Sequence, residues 1–169
     1  MEKRQYNRAF LWAVLAIILL IALYLGLTQK NPAPAVMLTD LSGQSVALTQ
    51  LRGRTILIDF WATSCPGCVK EMPKLVDFYE RNHAKGFELM AVAMNYDDLA
   101  QVRRFAADRQ LPFRVVYDAS GAIAHAFGDI KLTPTAFLIA PDGHIIKQTI
   151  GDLDFAKLQR RLDQADSRT

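Results

Sequence analysis

The sequence predicts an α/β domain, a central mixed sheet with helices on both faces, behind an apolar N-terminal helix. Three observations lead to this class. Apolar runs typical of buried strands alternate with segments of helical periodicity over residues 55–127. A Pro141-Asp142-Gly143 turn then joins two further strand-like runs, and a helical pattern closes the chain. Alternating strands and helices followed by a hairpin imply a mixed sheet covered on both faces.

Strand-like segments are short, β-branched or apolar, and bounded by turn residues. Two of them flank the turn Asp40-Leu41-Ser42-Gly43, and the uninterrupted runs from Thr55 and Phe87 are expected in the buried centre of the sheet. The predicted strands are Val36–Thr39, Ser45–Leu48, Thr55–Phe60, Phe87–Met94, Phe113–Tyr117, Thr135–Ala140 and His144–Ile150.

Helical segments show apolar side chains at spacings of three and four residues, as in the series Val69, Met72, Val76 and Tyr79. Pro73 should kink this first helix, and Gly86 should stop it. The predicted helices are Pro66–His83, a second from Asp97 or Asp98 (either of which can cap it) to Arg109, Ser120–Phe127 and Asp154–Asp166.

Residues 9–28 contain no charged side chain. The apolar run Phe10–Leu27 spans about 27 Å as a helix, close to a hydrocarbon core of about 30 Å. We expect a transmembrane signal anchor over residues 9–28, a linker over residues 29–35 and the globular domain over residues 36–169. Basic residues precede the run, so the positive-inside rule places residues 1–8 in the cytoplasm and the domain outside it. A cleaved signal peptide is the alternative, although its apolar core is usually shorter.

Charge and cysteine content exclude several functions. Residues 36–169 hold sixteen basic and sixteen acidic side chains, so the domain has no basic field to attract nucleic acid. The only cysteines are Cys65 and Cys68. Two cysteines do not make a structural disulfide framework. A zinc site would need two more ligands, and no histidine lies at metal spacing, so no metal is expected.

The Cys65-Pro66-Gly67-Cys68 motif lies where a buried strand meets a helix. Unpaired N–H groups at the helix start favour an anion, which lowers the pKa of Cys65 and supplies the attacking thiolate. Cys68 lies one turn further along, within reach of Cys65 but more shielded. The pattern predicts thiol–disulfide exchange in which Cys65 attacks a partner disulfide and Cys68 resolves the mixed disulfide.

Two acids are candidates for moving protons at this pair. Asp59 lies within a buried strand, where a carboxyl is costly unless paired or protonated, so we interpret it as a raised-pKa group serving Cys68. A structural, hydrogen-bonded acid is the alternative. Glu71 follows Cys68 by three residues on nearly the same helix face, and a solvated acid paired with Lys70 or Lys74 is equally compatible with the spacing. Trp61 is either a core residue or a docking surface.

The sequence resembles the thioredoxin superfamily and, within it, the TlpA/ResA/CcmG-like branch of membrane-tethered oxidoreductases. The resemblance covers about Val36–Leu162 and rests on Leu51-Arg52-Gly53-Arg54, the run from Ile56 through Ala62-Thr63 and Cys65-Pro66-Gly67-Cys68 to Lys70-Glu71-Met72-Pro73, Thr133-Pro134-Thr135 and Asp142-Gly143. It implies a thioredoxin-like fold, a cis Pro134 facing Cys65, and backbone pairing of Thr133 with a substrate strand. It also favours functional acids at Asp59 and Glu71, marks Tyr96–Phe127 as an inserted segment, and implies no cofactor.

Two positions depart from the family pattern. Ser64 stands where Trp often precedes the first cysteine, which leaves partner specificity open. The predicted strand Phe87–Met94 offers no lysine to pair with Asp59, in contrast to ordinary thioredoxins, so we predict a strongly raised pKa for Asp59.

The resemblance implies a reductant at the periplasmic face of a bacterial inner membrane, attached by a single span. Expected clients are apocytochrome c or the copper-site cysteines of an oxidase, and the expected electron donor is a membrane carrier of the DsbD or CcdA type. A disulfide-forming oxidant or isomerase is the main alternative. A peroxiredoxin and a Sco-like copper chaperone fit the cysteine spacing less well: Thr63 lies one residue too close to Cys65 for the first, and the second requires Cys-x-x-x-Cys.

Overall fold

The structure, a computed structural model, describes residue 12, residues 14–20 and residues 31–166. Residues 14–20 are helical, and the predicted anchor over residues 9–28 lies mostly outside the described residues. Among the residues that are described, no helix has the length and apolarity needed to cross a membrane. The chain divides into two units, Met1–Asn31 and Pro32–Thr169. The anchor and its orientation therefore stay predictions.

The second unit contains a five-stranded mixed sheet with the strand order β5-β4-β3-β6-β7, beside a separate two-stranded hairpin of β1 and β2. Strands β3, β4 and β5 are parallel, whereas β6 is antiparallel to both β3 and β7. The strands are β1 Met37–Thr39, β2 Ser45–Ala47, β3 Thr55–Trp61, β4 Phe87–Ala93, β5 Arg114–Tyr117, β6 Thr135–Ile139 and β7 Ile145–Ile150. All seven predicted strands are confirmed, to within one or two residues at their ends.

The helices lie on both faces of the sheet, as predicted. Side chains from α1, α2 and α4 pack with Leu57 and Trp61 on one face, and α3 packs with Ile58 and Phe60 on the other. The helices are α1 Pro66–Asn82, α2 Leu99–Asp108, α3 Ala122–Ala126 and α4 Phe155–Asp166. The alternation of side chains along β3 thus assigns each residue to one face, and Asp59 shares the face that α1 covers.

Carboxylates bind the backbone N–H groups at the starts of α2 and α3, from the N-cap residue in α2 and from a residue outside the helix in α3. Asp98 accepts a hydrogen bond from the backbone of Gln101 at 2.9 Å, so Asp98 rather than Asp97 caps α2. Helix α3 is shorter than the predicted Ser120–Phe127, because Gly121 has a φ of +73° and the carboxylate of Asp118 accepts from the backbone N–H groups of Ile123 and Ala124. Gly86, at a φ of +89°, ends the 3₁₀ turn that extends α1, as expected of a stop signal.

The ends of the sheet differ in their neighbours. The segment entering the domain is held at one end, where Pro32 bridges His144 and the Ala33 backbone N–H donates to the Gly143 carbonyl at 2.9 Å. These contacts adjoin the β6–β7 turn, beside the start of β3. The β1–β2 hairpin covers part of edge strand β5, since the Leu41 backbone donates to the Val115 carbonyl at 2.9 Å. The opposite end of β3 leads into Cys65.

Candidate active site

Four segments meet at this cysteine-bearing end of the sheet. Strands β3, β4 and β7 end there, and β6, which runs in the opposite direction, begins there. They are residues 62–68 after β3, 95–98 after β4, 131–134 before β6 and 151–153 after β7. In open α/β sheets the carboxyl ends of parallel strands are the usual place for a site.

Cys65 is the N-cap of α1 and is bonded to Cys68 in a disulfide, with Cα atoms 5.3 Å apart. The backbone N–H of Cys68 also donates to the Cys65 sulfur at 3.2 Å. Pro66 occupies the first helical turn, where its missing N–H does no harm. Cys65 is half-buried, whereas Cys68 is only 2% exposed. The geometry is therefore compatible with the predicted roles: the half-buried Cys65 lies at a helix start, where N–H groups favour a thiolate once the disulfide is reduced, and the shielded Cys68 lies within bonding reach.

The Thr133–Pro134 peptide bond is cis, as the family resemblance implied. Pro134 faces the cysteine motif: its Cδ atom lies 3.7 Å from the position that a Cβ on Gly67 would occupy. The Pro134 carbonyl accepts from the Gly151 backbone N–H at 2.8 Å, which joins this loop to the segment after β7. The structure thus brings Thr133 and Pro134 to the cysteine pair, as predicted.

Asp59 is buried on the α1 face of the sheet, between Ala91 on β4 and Ala136 on β6. Neither neighbour can pair with a carboxylate, and Oδ1 has no hydrogen-bond partner among the described residues. Burial, with a further contribution from the charge of Glu71, raises the pKa of Asp59 to about 8. The raised pKa agrees with the prediction that followed from the missing lysine.

Glu71 is 5% exposed, so it is not the solvated helix acid of the alternative interpretation. Its Oε1 accepts from the Leu153 backbone N–H at 2.6 Å, and its buried Oε2 has no partner among the residues described. Burial raises the pKa of Glu71; the Leu153 hydrogen bond opposes that rise, Asp152 adds to it, and Lys74 opposes it. Asp59 and Glu71 therefore form a pair of raised-pKa carboxyl groups at the inner side of the motif.

Replacing Glu71 with glutamine should lower the pKa of Asp59 from about 8, because the charge of Glu71 is one cause of the shift. The pKa should stay above its ordinary value of 3.8, since burial is the larger cause. Carbon-detected NMR titration of the Asp59 carboxyl measures both the decrease in its pKa and the shift that remains. Asp98→Asn is the control, because Asp98 is not among the causes of either shift, and it should leave the Asp59 pKa in place. An unchanged pKa in Glu71→Gln, or an unshifted one in the unmodified protein, would contradict this coupling.

Trp61 does not form part of the accessible site. Its side chain is 0% exposed and packs on the Phe105 ring of α2, with ring centroids 5.2 Å apart. The expectation that Trp61 contacts substrate is therefore corrected: β3 extends one residue further than predicted, and the alternation along it turns Trp61 into the core.

Sequence reasoning missed the segment after β4. Asp97 is 8% exposed, and its carboxylate binds both the backbone N–H and the hydroxyl of Thr63, at 2.5 and 2.6 Å. The Tyr96 hydroxyl lies 3.2 Å from the Thr133 hydroxyl. The available signal was the pair Asp97-Asp98, of which only one can cap α2.

Within the described part of the chain, no three His, Cys, Asp or Glu side chains are grouped so that they could hold a metal ion.

A disulfide-forming cysteine pair at a helix start, opposite a cis-proline on a mixed five-stranded sheet, defines the thiol–disulfide oxidoreductases of thioredoxin-like fold. Comparison with known proteins agrees. The chain is 35% identical over 130 residues to the thiol-disulfide oxidoreductase ResA of Bacillus thuringiensis subsp. konkukian, covering 77% of this chain and 74% of ResA. Residues 28–162 match the Redoxin family model. The chain belongs to the Redoxin family and is a protein-disulfide oxidoreductase.

Solved structures show the same fold. A protein of Neisseria meningitidis described as a thioredoxin is 42% identical and superposes with a TM-score of 0.75 over 81% of this chain and 91% of its own. A thiol:disulfide interchange protein of Chlorobium tepidum TLS is 25% identical, with a TM-score of 0.74 over 82% and 98% of the two chains. The resemblance to the TlpA/ResA/CcmG-like branch is confirmed.

Proposed function

We propose that this protein reduces disulfides of other proteins outside the cytoplasm. The observation that carries the direction is the pair of buried carboxyl groups, Asp59 and Glu71, at the inner side of the cysteine motif. Strong disulfide oxidants stabilise their reduced form, which holds a thiolate. When they are ionised, acidic side chains with no basic partner on the sheet disfavour a nearby thiolate, so they destabilise the reduced form and make the dithiol a better electron donor.

In the proposed reaction, the Cys65 thiolate attacks a client disulfide, forms a mixed disulfide and releases one client thiolate, which takes up a proton. Asp59 in its ionised form, which a pKa of about 8 leaves as a minor fraction at neutral pH, accepts the proton of Cys68, and the resulting Cys68 thiolate attacks the Cys65 sulfur. The second client cysteine leaves as a thiolate, which takes up a proton from Asp59 or water, and the Cys65–Cys68 disulfide seen in the structure remains. Two electrons pass to the client, and Glu71 adjusts the affinity of Asp59 for the proton.

Client binding is proposed at the cis-proline loop. Pro134 lies beside the motif just before β6, and we propose that an extended client segment pairs with the backbone of the preceding Thr133 as an added strand. Clients with closely spaced cysteines, such as apocytochrome c or the copper site of an oxidase, suit a mechanism that reduces one disulfide at a time.

The oxidised product must be reduced again for further turnover. We propose that a membrane electron carrier of the DsbD or CcdA type supplies the electrons to a domain tethered on the periplasmic side by residues 9–28. The apolar N-terminal segment and the basic residues before it support this placement. A disulfide-forming oxidant or isomerase is the alternative role.

The reduction potential distinguishes these roles. Equilibration with glutathione or dithiothreitol, followed by quantification of Cys65 and Cys68 thiols, should give about −270 mV or lower, in the range of thioredoxin. Asp59→Asn with Glu71→Gln should raise the potential, because two acidic groups are removed. A value near −120 mV for the unmodified protein, as in strong oxidants, would overturn the reductant role.

A further inference from the structure

The segment after β4 contacts both halves of the active site. Asp97 uses Oδ2 to accept from the Thr63 backbone N–H and Oδ1 to accept from the Thr63 hydroxyl. Thr63, two residues before Cys65, is thus held by two short hydrogen bonds to a carboxylate. Hydrogen bonds to a charged group are stronger than those between neutral groups. Asp98, the adjacent acid, only caps α2.

Thr63 lies in the turn that delivers Cys65 to the helix start. The Cys65 backbone N–H donates to the Ala62 carbonyl at 3.1 Å, and the Cys65 carbonyl accepts from Val69 in the first turn of α1. Between the end of β3 and α1, the path of the chain therefore depends on residues 62–64. Fixing Thr63 fixes the direction from which the Cys65 sulfur faces a client.

The Asp97 segment is itself held in place. The Tyr117 hydroxyl, at the end of β5, donates to the carbonyl oxygens of Asp97 at 3.0 Å and Asn95 at 3.3 Å. On the other side, the Tyr96 hydroxyl contacts Thr133 in the cis-proline loop. One segment thus spans the distance between the attacking cysteine and the loop at which a client is expected to bind.

We propose that Asp97 is a positioning residue for disulfide exchange: through Thr63 it sets the orientation of Cys65 relative to the Thr133–Pro134 loop. Helix capping does not explain the burial of Asp97, because Asp98 caps α2. Burying a carboxylate costs free energy unless it is hydrogen-bonded. Both oxygens of Asp97 accept hydrogen bonds from Thr63, in the turn before Cys65, and Oδ1 also accepts from the Asp98 backbone N–H. The inference rests on the exchange activity of the family and not on the direction of electron flow.

Thiolate attack on a disulfide is sensitive to the placement of the attacking sulfur. Where a reaction depends on oriented groups, a displacement of about 1 Å lowers its rate by up to about a hundredfold. A small alkylating reagent approaches from many directions and needs no such placement. Loss of Asp97 should therefore slow attack on a protein disulfide much more than it slows alkylation. A merely structural role would slow both reactions alike, or neither.

The test measures two rates for Cys65 on a Cys68→Ala background: formation of the mixed disulfide with insulin, and alkylation by iodoacetamide across a range of pH. Asp97→Ala should slow the insulin reaction by about tenfold or more and alkylation by less than about threefold. Asp98→Ala is the matched control: it removes a helix cap and lowers stability to urea, but should change neither rate more than about twofold. The rate of mixed-disulfide formation can be measured whether the protein acts overall as a reductant or as an oxidant.

Substitutions at Thr63 complete the test. Thr63→Ser keeps both donors and should react like the unmodified protein, whereas Thr63→Val keeps only the backbone N–H and should show an intermediate insulin rate. If Asp97→Ala does not fold, Asp97→Asn and Thr63→Val give the same comparison. Equal effects of Asp97→Ala and Asp98→Ala on the ratio of the two rates would overturn the proposal. A potential near that of an oxidant would overturn only the reductant role.

Discussion

Replacing Asp59 with asparagine should stabilise the oxidised protein by several kcal/mol at pH 8. The folded protein holds the Asp59 proton up to about pH 8, whereas the unfolded chain releases it near 3.8. Between these values the unfolded state binds fewer protons, so the free energy of unfolding falls as the pH rises. Each pKa unit corresponds to about 1.4 kcal/mol, and asparagine removes the penalty.

Urea unfolding of the oxidised protein between pH 4 and pH 9 measures this effect. The gain in stability of Asp59→Asn over the unmodified protein should be small near pH 4, widen until about pH 8 and then level off. Asp118→Asn is the contrasting control, because Asp118 is equally buried but accepts two backbone hydrogen bonds; its replacement should destabilise the protein. A constant difference across the range would mean that Asp59 is ionised in the folded state.

Substitution of the two cysteines should separate their roles with the largest effect on activity. Cys65→Ser should lose disulfide reduction by about a thousandfold or more, because the shielded Cys68 cannot replace the attacking thiolate. Cys68→Ala should instead attack normally but accumulate stable mixed disulfides, since the resolving thiol is missing. Insulin reduction measures the first effect, and non-reducing electrophoresis of cell extracts shows the second.

The adducts of Cys68→Ala also identify the client and the electron donor by mass spectrometry. Recovery of an apocytochrome c or an oxidase subunit would support the proposed pathway, and a DsbD- or CcdA-type protein would identify the donor. The double variant Cys65→Ser with Cys68→Ala is the control for non-specific capture. Adducts on Cys65→Ser but not on Cys68→Ala would reverse the assignment of the attacking cysteine.

Much of the fold was predictable because its signals are local. Strands β3 and β4 are uninterrupted apolar runs, and all seven residues of each are buried, as such runs predict. The cysteine motif needed only a strand followed by a helix, and the raised pKa of Asp59 followed from an acid in a buried run with no lysine on the neighbouring strand. These features depend on residues close together in the sequence or on a single strand pairing.

The features that sequence reasoning missed are contacts between distant residues. Asp97 binds Thr63, 34 positions away, and Glu71 binds the Leu153 backbone, 82 positions away. Nothing in the composition of Asp97-Asp98 decides which acid caps the helix and which turns to the active site. The burial of Trp61 depended on the length of β3, and strand ends are the least predictable part of a pattern.

The point at which the chain enters the domain affects how clients and donors gain access. Ala33 is fastened beside the β6–β7 turn, and β3 separates that end of the sheet from Cys65. Seven strand residues at about 3.3 Å each place the sulfur on the order of 20 Å from the point of attachment. In the membrane attachment that we propose, a tether at this point would leave the reactive end unobstructed for bulky proteins arriving from solution. The proposed carrier within the lipid would then have to extend a redox domain outward by a comparable distance to reduce the cysteines again.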